Sequence, residues 1–218
     1  MILAAGRGER LRPLTDRVPK PLVEIAGRSL LERHLDRIAK TRTQRVVINL
    51  GWQGEQIVDR VGSGDAYGLT VSYSPEYDHV LETGGGLRRA LPMLGSEPFW
   101  VLNGDIYTDF ELREPALPAG VMGHLVLVTC PPHRQGGDFA LVGGQVRNGP
   151  QPELVFSGMA CYRPEFIERL PAERGSIVPL LREAADAGEL SGEIHAGDWE
   201  DVGTLERLEA LNRRLASD

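Results

Sequence analysis

Leu3-Ala4-Ala5-Gly6-Arg7-Gly8-Glu9-Arg10-Leu11-Arg12-Pro13-Leu14-Thr15, continued by Pro19-Lys20-Pro21-Leu22, is the stretch from which the fold can be read. Ile2 to Ala5 is a short apolar run of the kind that forms a buried parallel strand. Gly6 and Gly8 follow at once, and residues without a Cβ let main-chain N–H groups turn towards an anion at the strand's carboxyl end. Arg7, Arg10, Arg12 and Lys20 add the full positive charges that main-chain donors lack. A strand, a glycine turn and clustered cations together suit a polyphosphate in an α/β fold. Two other phosphate loops are excluded by spacing. A dinucleotide fingerprint needs a third glycine at position 11, where Leu11 stands, and a P-loop needs a downstream Gly-Lys-Ser/Thr, which is absent.

Outward from this loop, helix and strand patterns alternate, as expected of a largely parallel sheet covered by helices. Ser29-Leu30-Leu31-Glu32 is a capping box that predicts a helix with Leu30, Leu31, Leu35 and Ile38 on one face. A strand from Arg45 to Leu50, a helix near Gln53 to Val61 and a strand from Leu69 to Tyr73 follow. Gly84-Gly85-Gly86 leads into a helix through Leu94, and Phe99 to Leu102 reads as another buried strand. The second half is richer in strands, with Gly143-Gly144 as a hairpin turn between Phe139 to Val142 and Gln145 to Arg147. Ile177 to Ala187 reads as an amphipathic helix, and Thr204 as the cap of a last helix ending near Ala216. Pro115 to Gly120 is the one linker-like stretch.

Composition narrows the function. With 218 residues, 41% hydrophobic and 25% charged, the chain can bury an ordinary globular core. No apolar run approaches the ~18 residues of a membrane helix. The N-terminus reads as a core strand and not as a signal peptide, so a cytoplasmic protein is expected. The net charge of −7 hides an asymmetry: residues 1–45 hold eleven basic and five acidic residues, giving +6, and the remainder holds thirteen and twenty-six, giving −13. A focused cationic cleft attracts a small polyanion, whereas nucleic acid needs a broad basic face. Arg33, Arg37 and Arg42 are expected to coat an exposed helix face. Cys130 and Cys161 read as small core hydrophobes, and the histidines His34, His79, His124, His133 and His195 lack metal-type spacing.

Asp105 of Asn103-Gly104-Asp105 follows a strand, so it should project from the sheet's carboxyl end, where open α/β folds bind ligands. A second carboxylate, Asp201, stands in Trp199-Glu200-Asp201-Val202-Gly203-Thr204, just before a helix. Two aspartates from distant segments suit Mg²⁺, which takes one or two carboxylates and completes its shell with substrate phosphates. Glu200 and Asp109 are the nearest competitors. The Gly84 to Gly86 run, at a helix start, reads equally as a donor of N–H groups to a ligand and as a flexible loop.

The opening stretch resembles the signature of the sugar-phosphate nucleotidyltransferases, L-x-x-G-x-G-x-R-L-x-P-L-T followed by P-K-P. The resemblance implies a Rossmann-like α/β fold with a mixed, mainly parallel central sheet and a small β-rich sugar-binding part. It implies a single domain over 1–218, with 1–110 mainly nucleotide-binding and 111–218 mainly sugar-binding. In such proteins the loop wraps a nucleoside triphosphate, which assigns Leu3, Ala4, Ala5, Gly6 and Gly8 to the nucleotide, with Glu82, Thr83 and Gly84 beside the base. Arg12 is implied to contact the β- and γ-phosphates and Lys20 the reacting phosphate, with Asp105 and Asp201 as the Mg²⁺ ligands. Gly137-Asp138-Phe139-Ala140 and Phe156-Ser157-Gly158-Met159-Ala160 resemble the segments that cup the sugar. Asn103, Gly137, Asp138, Gly158 and Trp199 are the implied sugar contacts, although Phe139 and Phe156 serve a core equally well.

Within the family, the compact length and the L-E-T-G-G-G, F-S-G and W-x-D-V-G-T elements look most like bacterial uridylyltransferases acting on N-acetylmuramate 1-phosphate in peptidoglycan recycling. The Glu-Lys-Pro clamp of the thymidylyltransferases is missing, and Gly149 to Glu153 stands in its place. Alternatives are a mannose-1-phosphate guanylyltransferase, another small sugar uridylyltransferase, or a non-catalytic nucleotide-sugar-binding regulator. Expected partners are a nucleoside triphosphate and a sugar 1-phosphate, without nucleic acid or membrane, in a monomer or weak homo-oligomer.

Overall fold

The computed structural model describes residues 1–77, 80–132, 134–171 and 174–216, so His79 and His133 lie outside the described residues. The chain forms two compact units: Met1–Val80, Asn103–Glu114 and Glu200–Asp218 make the first, and Leu81–Leu102 with Pro115–Trp199 the second.

The first unit begins with β1 (Ile2–Leu3), then three 3-10 turns at Glu9–Leu11, Leu14–Asp16 and Lys20–Leu22, then a hairpin of β2 (Glu24–Ile25) and β3 (Arg28–Ser29). α1 (Leu30–Ile38) starts at the expected capping box. The Ser29 hydroxyl accepts from the Glu32 N–H at 3.2 Å, and the Glu32 carboxylate accepts from the Ser29 N–H at 3.1 Å. Such a cap contributes about 1 kcal/mol and fixes where the helix begins. Leu30, Leu31 and Leu35 are fully buried on one face. The face carrying Arg33 and Arg37 is not the solvated one expected. Both are half-buried: Arg33 donates to the Ile25 carbonyl and lies over the Tyr107 ring, and burial lowers the Arg37 guanidinium pKa. Arg42 is exposed as expected.

β4 (Arg45–Leu50) has five consecutive buried residues, the pattern of a strand covered on both faces. After α2 (Gly54–Val61) comes β5 (Thr70–Pro75), and the three strands lie in the order β5-β4-β1, all parallel.

The second unit opens with α3 (Glu82–Leu94), which takes the three glycines into the helix and buries them, and continues to β6 (Phe99–Asn103). β7 (Ile106–Thr108) belongs to the first unit. Then follow β8 (Gly123–Thr129), β9 (Ala140–Val142), β10 (Gln145–Arg147), β11 (Leu154–Tyr162), α4 (Pro164–Glu168), α5 (Val178–Ala187) and β12 (Leu190–Ile194). The order is β6-β11-β8-β12-β10-β9, with β8 and β12 parallel and the other neighbours antiparallel. The Gly143-Gly144 hairpin pairs Val142 with Gln145 as its sequence requires, both glycines having positive φ.

β11 is interrupted once. Phe156 pairs with Leu127 and Met159 with Val126, so Ser157 and Gly158 stand out of the ladder, Gly158 at φ 82°. The Ser157 hydroxyl anchors this bulge on the Val126 carbonyl at 2.7 Å. Cys161 is buried as expected and Cys130 is half-buried; both are free thiols.

The chain returns to the first unit through β13 (Trp199–Asp201), which forms a two-stranded ribbon with β7, and ends in α6 (Leu205–Leu215), capped by the Thr204 hydroxyl. Leu208 and Leu211 of α6 pack with Val202 against Val23, Ile25 and Leu30. Among the described residues no helix is long and apolar enough to cross a membrane.

Candidate active site

The glycine loop is built against β4. The Ala4 N–H donates to Asn49 Oδ1 at 2.6 Å, and Asn49 Nδ2 in turn donates to the buried Glu76 at 2.8 Å. Ala4 and Ala5 are buried, Leu3 half-buried and Gly6 exposed. Gly8 adopts the left-handed conformation at φ 67°, and a Cβ there would meet Lys20 Cβ at 3.0 Å and Thr15 Cγ2 at 3.1 Å. Glycine is required at this position by both backbone and space. The Thr15 hydroxyl donates to the Gly8 carbonyl at 2.8 Å and closes the loop.

Lys20 is 8% exposed, and its Nζ meets Asp105 Oδ2 at 2.5 Å. The two residues meet because the turn after β6 docks on β1. The Gly104 N–H donates to the Leu3 carbonyl at 2.8 Å, and a Cβ on Gly104 would lie 2.6 Å from that oxygen. Asp201 is brought to the same place when the Val202 N–H donates to the Asp105 carbonyl at 3.0 Å. Its carboxylate is paired with Arg207 of α6. Burial lowers the Arg207 pKa, against the pull of Glu200 and Asp105 and with a push from nearby Arg10. The sequence paired Asp105 with Asp201 as ligands of one cation and named Lys20 separately; the fold joins Lys20 to Asp105 through their side chains and Asp105 to Val202 through the main chain. Among the described residues no cluster of three or more metal-type side chains exists.

The loop arginines have different neighbours. Arg12, assigned to the triphosphate, is half-exposed and paired with Asp16 at 3.1 Å. Arg10 lies beside Gly203, where an added Cβ would be 3.3 Å from its Nη2 and 3.0 Å from Nη2 of Arg207. Arg10 is therefore the loop arginine nearest Asp201's partner. Arg207 itself was missed; its only trace in the sequence is a cation one turn into the last helix.

His34 of α1 is buried beneath the Asp105 turn. Burial brings its pKa down to about 4, Arg37 contributes, and the Asn103 and Ile106 carbonyls oppose the shift. The ring is therefore neutral at physiological pH.

The base-side and sugar-side candidates belong to the second unit, apart from Asn103, which ends β6 half-buried. Of the glycine N–H groups that read equally as ligand donors and as part of a flexible loop, two are engaged within the chain. Those of Gly84 and Gly85 both donate to the Gly175 carbonyl, at 2.8 and 3.1 Å, and a Cβ on Gly84 would lie 2.8 Å from that oxygen. Gly84 thus permits a backbone-to-backbone approach. The Thr83 hydroxyl accepts from the Ile177 N–H at 3.1 Å, and Glu82, at φ 61°, pairs with Arg174 at 2.9 Å.

Asp138, expected as an acceptor for sugar hydroxyls, accepts from Arg134 at 3.0 Å and from the Phe156 N–H at 3.0 Å. Gly137 is pressed against β11, where a Cβ would sit 2.5 Å from both main-chain N and O of Leu154. Trp199 donates its Nε1–H to the Ser157 carbonyl at 2.9 Å, so the tryptophan rests on the bulge that carries Gly158. Phe139 and Phe156 separate as well: Phe139 is 2% exposed under Arg182, while Phe156 is half-buried.

The first 134 residues match the family model described as nucleotidyl transferase. The chain is 46% identical to the N-acetylmuramate alpha-1-phosphate uridylyltransferase of Neisseria meningitidis, covering 95% of this chain and 94% of that protein. It is 32% identical to the protein of that name from Caulobacter vibrioides, over 99% and 96%. Its identity to the mannose-1-phosphate guanylyltransferase of Mycobacterium tuberculosis is 28%, over 94% of this chain and 61% of that protein. A candidate glucose-1-phosphate thymidylyltransferase from Bacillus anthracis superposes with a TM-score of 0.86 at 19% identity, covering 100% and 94%. The CTP:phosphocholine cytidylyltransferase of Streptococcus pneumoniae does so with 0.74 at 20%, covering 98% and 97%. Those two likenesses show the fold, whereas the family match and the relatives at 46% and 32% identity show descent: the chain belongs to the nucleotidyl transferase family.

Proposed function

We propose that this chain transfers a nucleotidyl group from a nucleoside triphosphate to a sugar 1-phosphate, with UTP and N-acetylmuramate 1-phosphate as the pair. A phosphate oxygen of the sugar 1-phosphate attacks the α-phosphorus in line. The new phosphorus–oxygen bond forms as the bond to the bridging oxygen breaks, and pyrophosphate leaves. The observation that carries the reading is the pairing of buried Lys20 with Asp105 at 2.5 Å directly beside the glycine loop. Chemistry of this kind asks for positioning and charge neutralisation more than for a covalent intermediate.

The glycine loop receives the triphosphate through main-chain donors, and Lys20 neutralises the reacting phosphate. Arg12 is assigned to the leaving pyrophosphate on its motif position, and Arg10, which lies beside Gly203 and Arg207, is a second candidate cation for it. Asp105 and Asp201 fit a divalent cation such as Mg²⁺, because both are hard oxygen donors on adjacent main-chain segments and a substrate phosphate completes the shell. When bound, the cation would offset charge on the phosphates. Lys20 and Arg207 hold those carboxylates in register until then. On the sugar side, Asp138, Gly158 and Trp199 present one connected surface through Phe156 and Ser157.

Two expected outcomes test this. A pyrophosphate-release assay crossing UTP, GTP, CTP and dTTP with N-acetylmuramate, N-acetylglucosamine and mannose 1-phosphates should give the highest kcat/KM for UTP with the muramate compound. A site that bonds the lactyl carboxylate leaves its donors unpaired with the unsubstituted sugar, which can discriminate by orders of magnitude. An equal or higher value for GTP with mannose 1-phosphate would select the guanylyltransferase reading, which the 28% relative supports. In the same assay Arg10→Ala should lower kcat/KM at least tenfold more than Arg12→Ala, a gap of about 1.4 kcal/mol. The reverse ranking would return the leaving-group role to Arg12.

A further inference from the structure

We propose that Trp52, in the turn between β4 and α2, is the positioning residue that holds the glycine loop in shape for the triphosphate. Trp52 meets the loop from two sides. Its Nε1–H donates to the Thr15 carbonyl at 2.9 Å, and its ring lies 4.4 Å beneath the Arg7 guanidinium. Thr15 is the residue whose hydroxyl holds the Gly8 carbonyl, so one indole bond is passed on to the left-handed glycine of the loop. Arg7 sits between Gly6 and Gly8, and stacking on an aromatic face restrains an exposed cation that would otherwise sample many rotamers.

The neighbouring residues continue the pattern. Gln53 Nε2 donates to the Asp16 carbonyl at 2.8 Å, and Gln56 Nε2 to the Arg17 carbonyl at 2.9 Å. Three side chains of one segment therefore capture three consecutive carbonyls, Thr15, Asp16 and Arg17. The turn itself is fixed to the strand end by Gly51, where a Cβ would lie 2.3 Å from the Ala5 carbonyl oxygen. Of the three, only Trp52 also touches the glycine end of the loop. Its distinct contribution is to hold the loop's beginning and its exit at a set separation, so that the N–H groups need not be ordered when the anion arrives.

The inference rests on the proposed role of the loop, and its test separates the two. Trp52→Phe keeps a ring for Arg7 and removes the donor to Thr15; Trp52→Leu removes both. The KM for UTP should rise about fivefold in Trp52→Phe and tenfold or more in Trp52→Leu, the range for losing one and then two such contacts. The KM for the sugar 1-phosphate should stay within twofold of wild type. Pyrophosphate affinity measured by calorimetry should fall in step with the UTP effect, a readout that general loosening of the fold would not single out. If Trp52→Leu fails to fold, Trp52→Phe alone removes the donor to Thr15 while the ring under Arg7 stays, and should give a UTP-only defect. An unchanged UTP KM in folded Trp52→Phe, or equal rises for both substrates, overturns the inference while the functional reading stands. A wild-type protein inactive with every triphosphate and unable to bind pyrophosphate overturns both.

Discussion

Asp105→Asn is expected to lower kcat about a thousandfold while circular dichroism still reports the native fold. A carboxylate that helps neutralise phosphate charge is worth several kcal/mol in the transition state. The substitution also leaves the ammonium of Lys20 facing a neutral amide in a site where Lys20 is only 8% exposed. The backbone of the turn is secured independently, by Gly104 on Leu3 and Val202 on the Asp105 carbonyl, so the loss should be chemical and not structural. Near-normal turnover of Asp105→Asn at saturating divalent cation would remove Asp105 from the active site.

Lys20→Met should produce the second-largest effect, a fall in kcat of about a hundredfold, the scale for losing one preorganised positive group near developing charge. Methionine retains the apolar stem that packs under Gly8, where a Cβ would meet the Lys20 Cβ at 3.0 Å. Loop shape is thereby separated from charge. The KM for the triphosphate should move less than kcat, because the ammonium matters most while negative charge is being redistributed. Should KM alone change, Lys20 binds the ground state and transition state alike. Stability should suffer less than the ~3–5 kcal/mol typical of a broken buried pair, since Asp105 is one-third exposed and water can solvate it. Combined with Asp105→Asn, the two losses should be far from additive, because each variant already breaks the same contact.

The strength of sequence signals varied with how local their causes are. The capping box at Ser29 fixed α1 because both of its bonds lie within four residues, and β4 declared itself through the apolar run Val46 to Ile48. The Gly143-Gly144 turn was equally plain, since the required positive φ is a property of the residue. Asp105 and Asp201 could be nominated as a pair and Lys20 beside them from their motifs. Their meeting depends on Gly104 touching Leu3, a contact across a hundred residues that leaves only a glycine behind. The glycines at 84 to 86 left two readings open for the same reason: an absent Cβ looks identical whether the neighbour is a ligand or the Gly175 carbonyl. Asp138 showed its carboxylate in the sequence but not the Phe156 N–H that bonds to it. Arg33 and Arg37 were misplaced because long cationic stems bury against apolar surface while composition counts them as charges.

The interruption in β11 carries a consequence of parity. Because side chains alternate across a strand, one extra residue would turn every later side chain to the opposite face. Ser157 and Gly158 are two, so Met159 to Tyr162 keep the sidedness they would have in an unbroken strand, and all four remain buried. The shelf on which Trp199 rests is thus an even-numbered insertion, neutral to the core behind it. Shortening or lengthening it by pairs of residues would reshape the surface under Trp199 and leave the interior pattern intact, whereas a single deletion would exchange the two buried faces of Met159 to Tyr162 and force both to repack. The shelf beneath Trp199 can therefore vary in steps of two.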